Sequence, residues 1–179
     1  MSSVARRYAK AFFEVAKECD LEKAKNELVE LNTVFRATKV DQYLYSPLFD
    51  KVKKRTLLNE VFKCNDFLLP TRHFMTLLID KKRINLFPDI IEYFIQFYNG
   101  EKNILAVQCT SAVLLGSKIL DTITQKLEKT FSKKIIIETK VDPSIIGGLT
   151  LQTESYLYDF SIKNQLETLA RRNMYGLTN

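Results

Sequence analysis

The sequence predicts an α+β protein, with a bundle of six helices over residues 1–102 and a small α/β domain over residues 103–179. Apolar side chains in the first part recur at three- and four-residue intervals, which is the helical period. At Ile104 the period changes to the alternation typical of a β-strand, and this alternation returns at residues 135–141. The chain of 179 residues is 46% hydrophobic, which is enough apolar material for one core or two small ones.

The first predicted helix begins at Ser2 or Ser3, either of which can cap it, and runs to about Lys17. Burial against one neighbour requires a single apolar stripe, whereas this helix has two, so one stripe could be left for a partner. The alternative is a central helix that a bundle buries on both sides, and the pattern by itself favours this alternative. The first stripe contains Val4, Tyr8, Ala11, Phe12 and Val15, and the second contains Ala5, Ala9, Phe13 and Ala16.

Five further helices are predicted from caps, prolines and apolar spacing. Asp20 can cap the second helix, and Pro70 is tolerated in the first turn of the fifth, which should span about 12 residues. The others are a short turn at residues 41–45, a helix restarted by Asp50, and a sixth and longest helix that Asn85 opens with Pro88 and that Asn99 and Gly100 close.

The C-terminal domain should contain a short β-sheet and two helices. The sequence Asp142-Pro143-Ser144 must end a strand, and the pair Gly147 and Gly148 permits backbone angles or close approaches that a Cβ would forbid. We therefore interpret Gly147 and Gly148 as a structural turn of this domain. The predicted elements are strands at residues 104–109, 135–141, 149–153 and 156–158, a helix that Gly116 and Ser117 begin, and a last helix capped by Asp159 or Ser161.

No residue pattern in the sequence predicts catalysis, a cofactor or a metal. His73 is the only histidine and lies among apolar residues of a predicted helix, so it is better interpreted as structural or solvated than as a general base. The Gly147-Gly148 pair lacks the surrounding pattern of a phosphate loop and precedes a strand. The acidic residues Asp142, Glu154 and Asp159 match no metal-ligand spacing. The three cysteines are widely spaced with no CxxC, which predicts free thiols.

The formal charge of +6 and the pI of about 9.1 leave a small basic helical nucleic-acid-binding protein as an alternative. The main basic run, at residues 51–55, is better explained as one solvated helix face. An enzyme whose pocket needs no recognisable motif is a third hypothesis. No apolar run reaches the length of about 18 residues that a membrane span needs, and Glu14 and Glu18 come too early for a mitochondrial presequence, so the sequence favours the bacterial cytoplasm.

Three stretches of the chain carry a family resemblance. Residues 135–154 read I-x-I-x3-V-D-x2-I-x-G-G-L-x-L-Q-x-E, which resembles the C-terminal signature of the delta subunit of F-type ATP synthases. The mitochondrial counterpart is the oligomycin-sensitivity-conferring protein. Residues 4–13 (VARRYAKAFF) resemble the opening helix of the family, and residues 77–88 (LLIDKKRINLFP) resemble its central segment. The three matches keep the order of the family and are spread along the chain from residue 4 to residue 154.

The resemblance implies a noncatalytic peripheral-stalk (stator) subunit for proton-driven ATP synthesis, peripheral to the cytoplasmic face of the bacterial inner membrane. In this family the N-terminal helical bundle holds the N-terminal segment of an alpha subunit, and the C-terminal domain engages the end of the b-subunit stalk. The family's segments and the helical faces select Tyr8, Ala11 and Leu77 as residues of the alpha-subunit-binding groove. No cofactor, metal or nucleic acid is implied.

The chain departs from the pattern of the family at two places. Glu154 and Ser155 stand where members commonly have a glycine-containing turn before the third strand of the motif. Phe160 stands where the sequence Asp-Gly-Ser-x-Arg commonly places a glycine. The first replacement could change the type of hairpin turn. The second could change the local backbone angle and the residue at which the last helix starts.

Overall fold

The structure is a computed structural model that describes residues 3–46, 48–64, 66–153 and 156–175. It combines helices with one four-stranded sheet, which confirms the α+β class. The chain divides into two compact units, residues 1–98 and 99–179, and each unit is described by itself below. Within the described ranges no helix combines the length and the apolar character needed to cross a membrane.

The first unit is helical. Its elements are α1 (Ser3–Glu18), α2 (Leu21–Ala37), α3 (Val40–Tyr45), α4 (Lys51–Cys64), α5 (Leu69–Asp80), a 3₁₀ turn (Ile84–Leu86) and α6 (Phe87–Glu101), and the boundary between the units falls within α6. Helix α5 has the predicted 12 residues, with proline in its first turn.

The sixth helix is shorter than the sequence predicts. Asn85 lies in the 3₁₀ turn and does not open the helix, so α6 has 15 residues whereas α2 has 17. The prediction that α6 is the longest helix is therefore wrong. Helix α2 starts at a cap formed by Asp20, whose carboxylate accepts a hydrogen bond from the Lys23 N–H at 2.9 Å. Helix α6 also continues one residue past Gly100, because a glycine inside a helix weakens it without ending it.

Helix α5 packs against α1, α2 and α4, and two devices fix its ends. At its start, the buried Glu27 of α2 accepts hydrogen bonds from the Leu68 N–H at 2.8 Å and from the Thr71 hydroxyl at 2.5 Å. At its end, the chain turns at Lys82, which has a φ of 57°, and the Arg83 N–H donates to the Leu78 carbonyl at 2.7 Å. The direction of α5 is therefore set at both ends by hydrogen bonds.

The second unit is built on a four-stranded mixed sheet. Its elements are β1 (Ile104–Ser111), α7 (Ser117–Phe131), β2 (Lys134–Val141), a 3₁₀ turn (Pro143–Ile145), β3 (Leu149–Gln152), β4 (Leu157–Asp159) and α8 (Ile162–Tyr175). The strand order is β2-β1-β3-β4: β1 pairs with β2 in parallel and with β3 antiparallel, and β3 pairs antiparallel with β4. The side chains of Val107, Cys109, Ile135 and Leu151 form the core of this unit, with Ile123 and Leu127 of α7 packed against them.

The structure fixes the position of the last strand and the cap of the last helix. Strand β4 lies one residue later than predicted, at Leu157–Asp159. The Ser161 hydroxyl accepts a hydrogen bond from the Asn164 N–H at 3.1 Å, so Ser161 caps α8. The Ser161 N–H in turn donates to the Asp159 carboxylate at 2.8 Å. Glu154 and Ser155, the first departure from the family pattern, lie outside the described residues.

Candidate functional site

A groove of about 890 Å³ lies between α1 and α5. Helix α1 contributes Val4, Arg7, Tyr8, Ala11, Phe12 and Val15 to its lining. Helix α5 contributes Leu69, Pro70, His73, Phe74 and Leu77, and Arg83 follows from the turn after α5. The lining is mainly apolar, which suits an amphipathic protein segment or another apolar ligand.

The floor of the groove is aromatic. The rings of Phe12 and Phe74 stack with centroids 4.4 Å apart and planes inclined by 22°. Phe12 is only 3% exposed, and its ring also lies 5.4 Å from that of Phe94 in the core of the unit. The floor therefore belongs to the folded core, and a ligand would rest on a surface that the fold itself holds rigid.

The two apolar stripes of α1 have different surroundings. The second stripe, represented by Ala5, Ala9 and Phe13, is buried within the unit. The first stripe lines the groove, with Phe12 buried at its base and with Ala11 and Val15 exposed. The alternative in which both stripes are buried is therefore wrong, because Ala11 and Val15 of the first stripe are exposed.

Tyr8, Ala11 and Leu77 all line this groove, so the structure brings together the three residues selected from the sequence. Leu77 is 42% exposed and Ala11 is exposed, whereas Tyr8 is half-buried. These side chains are available to a ligand because the core does not enclose them.

The glycine pair lies in a bend between the second 3₁₀ turn and β3. Gly148 has a φ of 79°, and a Cβ placed on it would overlap the carbonyl oxygen of Phe160. A Cβ on Gly147 would lie 2.7 Å from Cδ1 of Ile162, which is the flexible end of a side chain. The Phe160 N–H donates to the Leu149 carbonyl at 2.9 Å, so this close approach is tied into the sheet. At Gly148 a side chain is therefore excluded by neighbouring backbone atoms, which cannot easily move. At Gly147 the obstacle is a flexible side chain, so the constraint on a side chain there is milder.

Two carboxylates stabilise the loops around this bend. Hydrogen bonds from the hydroxyl and the N–H of Ser144 hold the pKa of Asp142 below its ordinary value, with smaller effects of Lys140 and Lys163. Hydrogen bonds from the hydroxyl and the N–H of Ser161 lower the pKa of Asp159 in the same way. Each carboxylate therefore acts as a turn or helix cap, as its sequence context predicts.

The comparison with known families decides the identity of the chain. The family model described as "ATP synthase delta (OSCP) subunit" matches residues 4–172. The chain belongs to this family. The delta (OSCP) family supplies a noncatalytic subunit of F-type ATP synthase and a component of its peripheral stalk, which confirms the function predicted from the resemblance. Members act in a membrane-associated complex with other subunits of the synthase.

Curated relatives named "ATP synthase subunit delta" agree over nearly the whole chain. The relative from Carboxydothermus hydrogenoformans is 34% identical over 176 residues, covering 97% of this chain and 98% of its own length. The relative from Halalkalibacterium halodurans is 36% identical over 179 residues, covering 97% and 96%. A chain of the structure titled "Cryo-EM structure of Toxoplasma gondii mitochondrial ATP synthase hexamer, composite model" shares the fold, with a TM-score of 0.81, 19% identity, and coverage of 97% of this chain and 98% of that one.

Several residues of this delta-family groove were not selected from the sequence. Leu69 and His73 precede Leu77 by eight and four positions, so the spacing of four residues on α5 is a signal that could have found them. His73 is exposed at the groove, as one of its two interpretations expected. Arg7 adjoins Tyr8 in the sequence, but Arg83 lies beyond the helix, and only the turn at Lys82 brings it to the groove.

No group of three His, Cys, Asp or Glu side chains in the described part of this family member is placed to hold a metal ion. Cys19 is exposed and Cys109 is buried, and both are free; burial raises the pKa of the Cys109 thiol. The side chain of Cys64 lies outside the described part of the structure.

Proposed function

We propose that the groove between α1 and α5 holds the N-terminal segment of the alpha subunit as an amphipathic helix. The observation that carries this proposal is the apolar groove itself, with Tyr8, Ala11 and Leu77 at its surface and the Phe12–Phe74 pair at its base. Helix-in-groove binding places apolar anchors at i, i+3 or i+4, and i+7. Such anchors span about 10 Å, whereas α5, with 12 residues, is about 18 Å long and can accommodate them.

The proposal assigns a separate role to each part of the chain. The six helices over residues 1–102 act as one bundle that carries the alpha-binding groove, and residues 103–179 engage the end of the b subunit. The small side chain of Ala11 permits the close approach of a helix, while Leu77 provides an apolar wall. The subunit would thereby connect the catalytic head to the stalk on the cytoplasmic face of the bacterial inner membrane.

The apolar side chains of the second unit support the contact with the b subunit. Val113 and Leu114 follow the end of β1, Ile146 follows the turn after β2, and Phe160 follows β4. Because β1 and β2 are parallel and β3 lies antiparallel between β1 and β4, these positions lie at the same edge of the sheet. All four side chains are exposed, and Leu114 is 83% exposed. Exposed apolar residues of this kind are typical of protein interfaces.

Substitutions within the groove test the first contact. Leu77→Asp places a charge against the apolar side of the bound helix, and Ala11→Phe fills the space that the helix needs, so each should weaken binding by more than about 1 kcal/mol. The measurement is calorimetric titration with a peptide of the alpha subunit's N-terminal residues, accompanied by the melting temperature of each variant. Both positions are exposed, so the melting temperatures should change little.

Matched control variants lie on α2, outside the groove. Val29 is 41% exposed and Ala37 is exposed, and neither lines the groove. Val29→Asp and Ala37→Phe should therefore leave the affinity for the peptide unchanged. Wild-type affinity in both groove variants, or an equal loss in the two controls, would contradict the proposal. If the groove variants lost both their fold and their binding, they would no longer support the proposal.

A further inference from the structure

The charged residues that line the groove have one sign. The described lining includes the guanidinium groups of Arg7 and Arg83, and it includes no carboxylate. Both arginines are exposed, and neither forms an ion pair within the described part of the chain. By contrast, Arg55, a basic residue outside the groove, is bound to the Asp80 carboxylate through two of its nitrogens. The groove therefore presents an apolar floor with unneutralised cations at its surface.

From this distribution we infer that the helix held in the groove is acidic, with carboxylates beside its apolar stripe that pair with Arg7 and Arg83. The inference rests on the proposed function, since it names the chemistry of the segment that the same groove binds. A neutral helix could bury the same apolar anchors but would leave both guanidinium groups without a partner. A basic helix would place like charges together at the edge of an apolar interface, which costs affinity and slows association.

The size of the effect follows from the exposure of the two arginines. A solvent-exposed ion pair changes a dissociation constant by a factor of about 1.5 to 5, so two pairs together change it by a factor of about 2 to 25. Salt screens such pairs, whereas it does not weaken the burial of the apolar anchors in this way. Charge should therefore decide which amphipathic helix binds, while the floor supplies the affinity common to all of them.

The experiment uses the full chain and three designed amphipathic peptides with the same apolar anchors. Their flanking positions carry glutamate, glutamine or lysine, and a fourth, scrambled glutamate peptide has no apolar stripe. We expect the glutamate peptide to bind at least about twofold more tightly than the glutamine peptide at low salt, and the difference to shrink at high salt. The lysine peptide should be the weakest of the three. Arg7→Gln and Arg83→Gln should each reduce the preference for glutamate.

Two controls separate the groove from the net charge of +6, which attracts any acidic peptide. Arg6 is exposed next to Arg7 on α1 but does not line the groove, so Arg6→Gln should leave the preference intact. The scrambled peptide should not compete. If Arg6→Gln and Arg7→Gln act alike, or if the scrambled peptide competes, the attraction is general and the inference is wrong.

The outcomes also separate the inference from the proposed function. If all three striped peptides bind equally and Leu77→Asp abolishes their binding, the groove is a helix site without charge selectivity, and only the inference is overturned. If none of them binds, and the alpha-subunit peptide does not bind either, the proposed function fails together with the inference. A glutamate preference that Arg7→Gln and Arg83→Gln reduce supports both.

Discussion

At the scale of single residues, the backbone around Gly148 leaves no room for a side chain. Its φ of 79° disfavours any L side chain, and a Cβ there meets the backbone of Phe160 and Ser161. We expect Gly148→Ala to destabilise the second unit by roughly 1–3 kcal/mol, and Gly148→Asp to add the cost of a carboxylate facing a carbonyl. Hydrogen exchange should show faster exchange in β1 and β3 and unchanged protection in α2 and α5.

Gly116→Ala is the matched control, because a Cβ at Gly116 meets nothing within 4 Å and its φ of −70° suits alanine. The second unit carries the proposed contact with the b subunit, so purified Gly148→Asp should also lose affinity for a b-subunit fragment. Normal binding of that fragment by Gly148→Asp, or equal destabilisation by Gly116→Ala, would show that the bend is not constrained as described.

At the scale of elements, the connection between α2 and α5 depends on one buried carboxylate. Glu27→Ala would leave the Leu68 N–H and the Thr71 hydroxyl without their acceptor, which should cost about 1–3 kcal/mol of unfolding free energy. Because Leu69 and Pro70 of the first turn of α5 line the groove, affinity for the alpha-subunit peptide should fall as well. Chemical denaturation and calorimetric titration measure the two effects.

Glu30→Ala is the control for this prediction, since Glu30 lies on the same helix but is exposed. It should change stability by no more than about 0.5 kcal/mol. A double-mutant cycle with Thr71→Val then isolates the contribution of the hydroxyl bond. If Glu27→Ala and Glu30→Ala had the same free energy of unfolding and the same affinity for the peptide, the Glu27 carboxylate would not be what positions α5.

Local signals made most elements predictable, and long-range contacts explain what was missed. Three signals act within a few residues and can therefore be recognised in the sequence: the cap at Asp20, the proline in α5 and the alternation in β2. The burial of Glu27 could not be foreseen, because its partners at Leu68 and Thr71 are 41 and 44 positions away. The position of Arg83 beside the groove likewise depends on a turn whose left-handed residue is a lysine, without the usual glycine signal.

At the scale of the whole molecule, we predict that a fragment of residues 1–102 folds alone. It retains α6 to its end, including Tyr98, which is buried and lies 4.7 Å beneath the ammonium group of Lys25. A fragment of residues 1–95 loses that ring and the last turn of α6, so it should be less stable. Amide spectra and thermal unfolding of the two fragments provide the measurement. An unfolded spectrum for residues 1–102, alongside an ordered full chain, would place the boundary elsewhere.

The Phe12 ring belongs both to the floor of the groove and to the core, so the groove exists only while the first unit is folded. Binding of a ligand in the groove therefore stabilises the folded state. A ligand that binds only the folded protein stabilises it by about 2.7 kcal/mol when its free concentration is about 100 times its Kd. A subunit with an empty groove lacks this added stability, so it unfolds more often. Unassembled copies would therefore be degraded by proteases faster than copies with a filled groove, which would keep the number of subunits matched to the number of complexes.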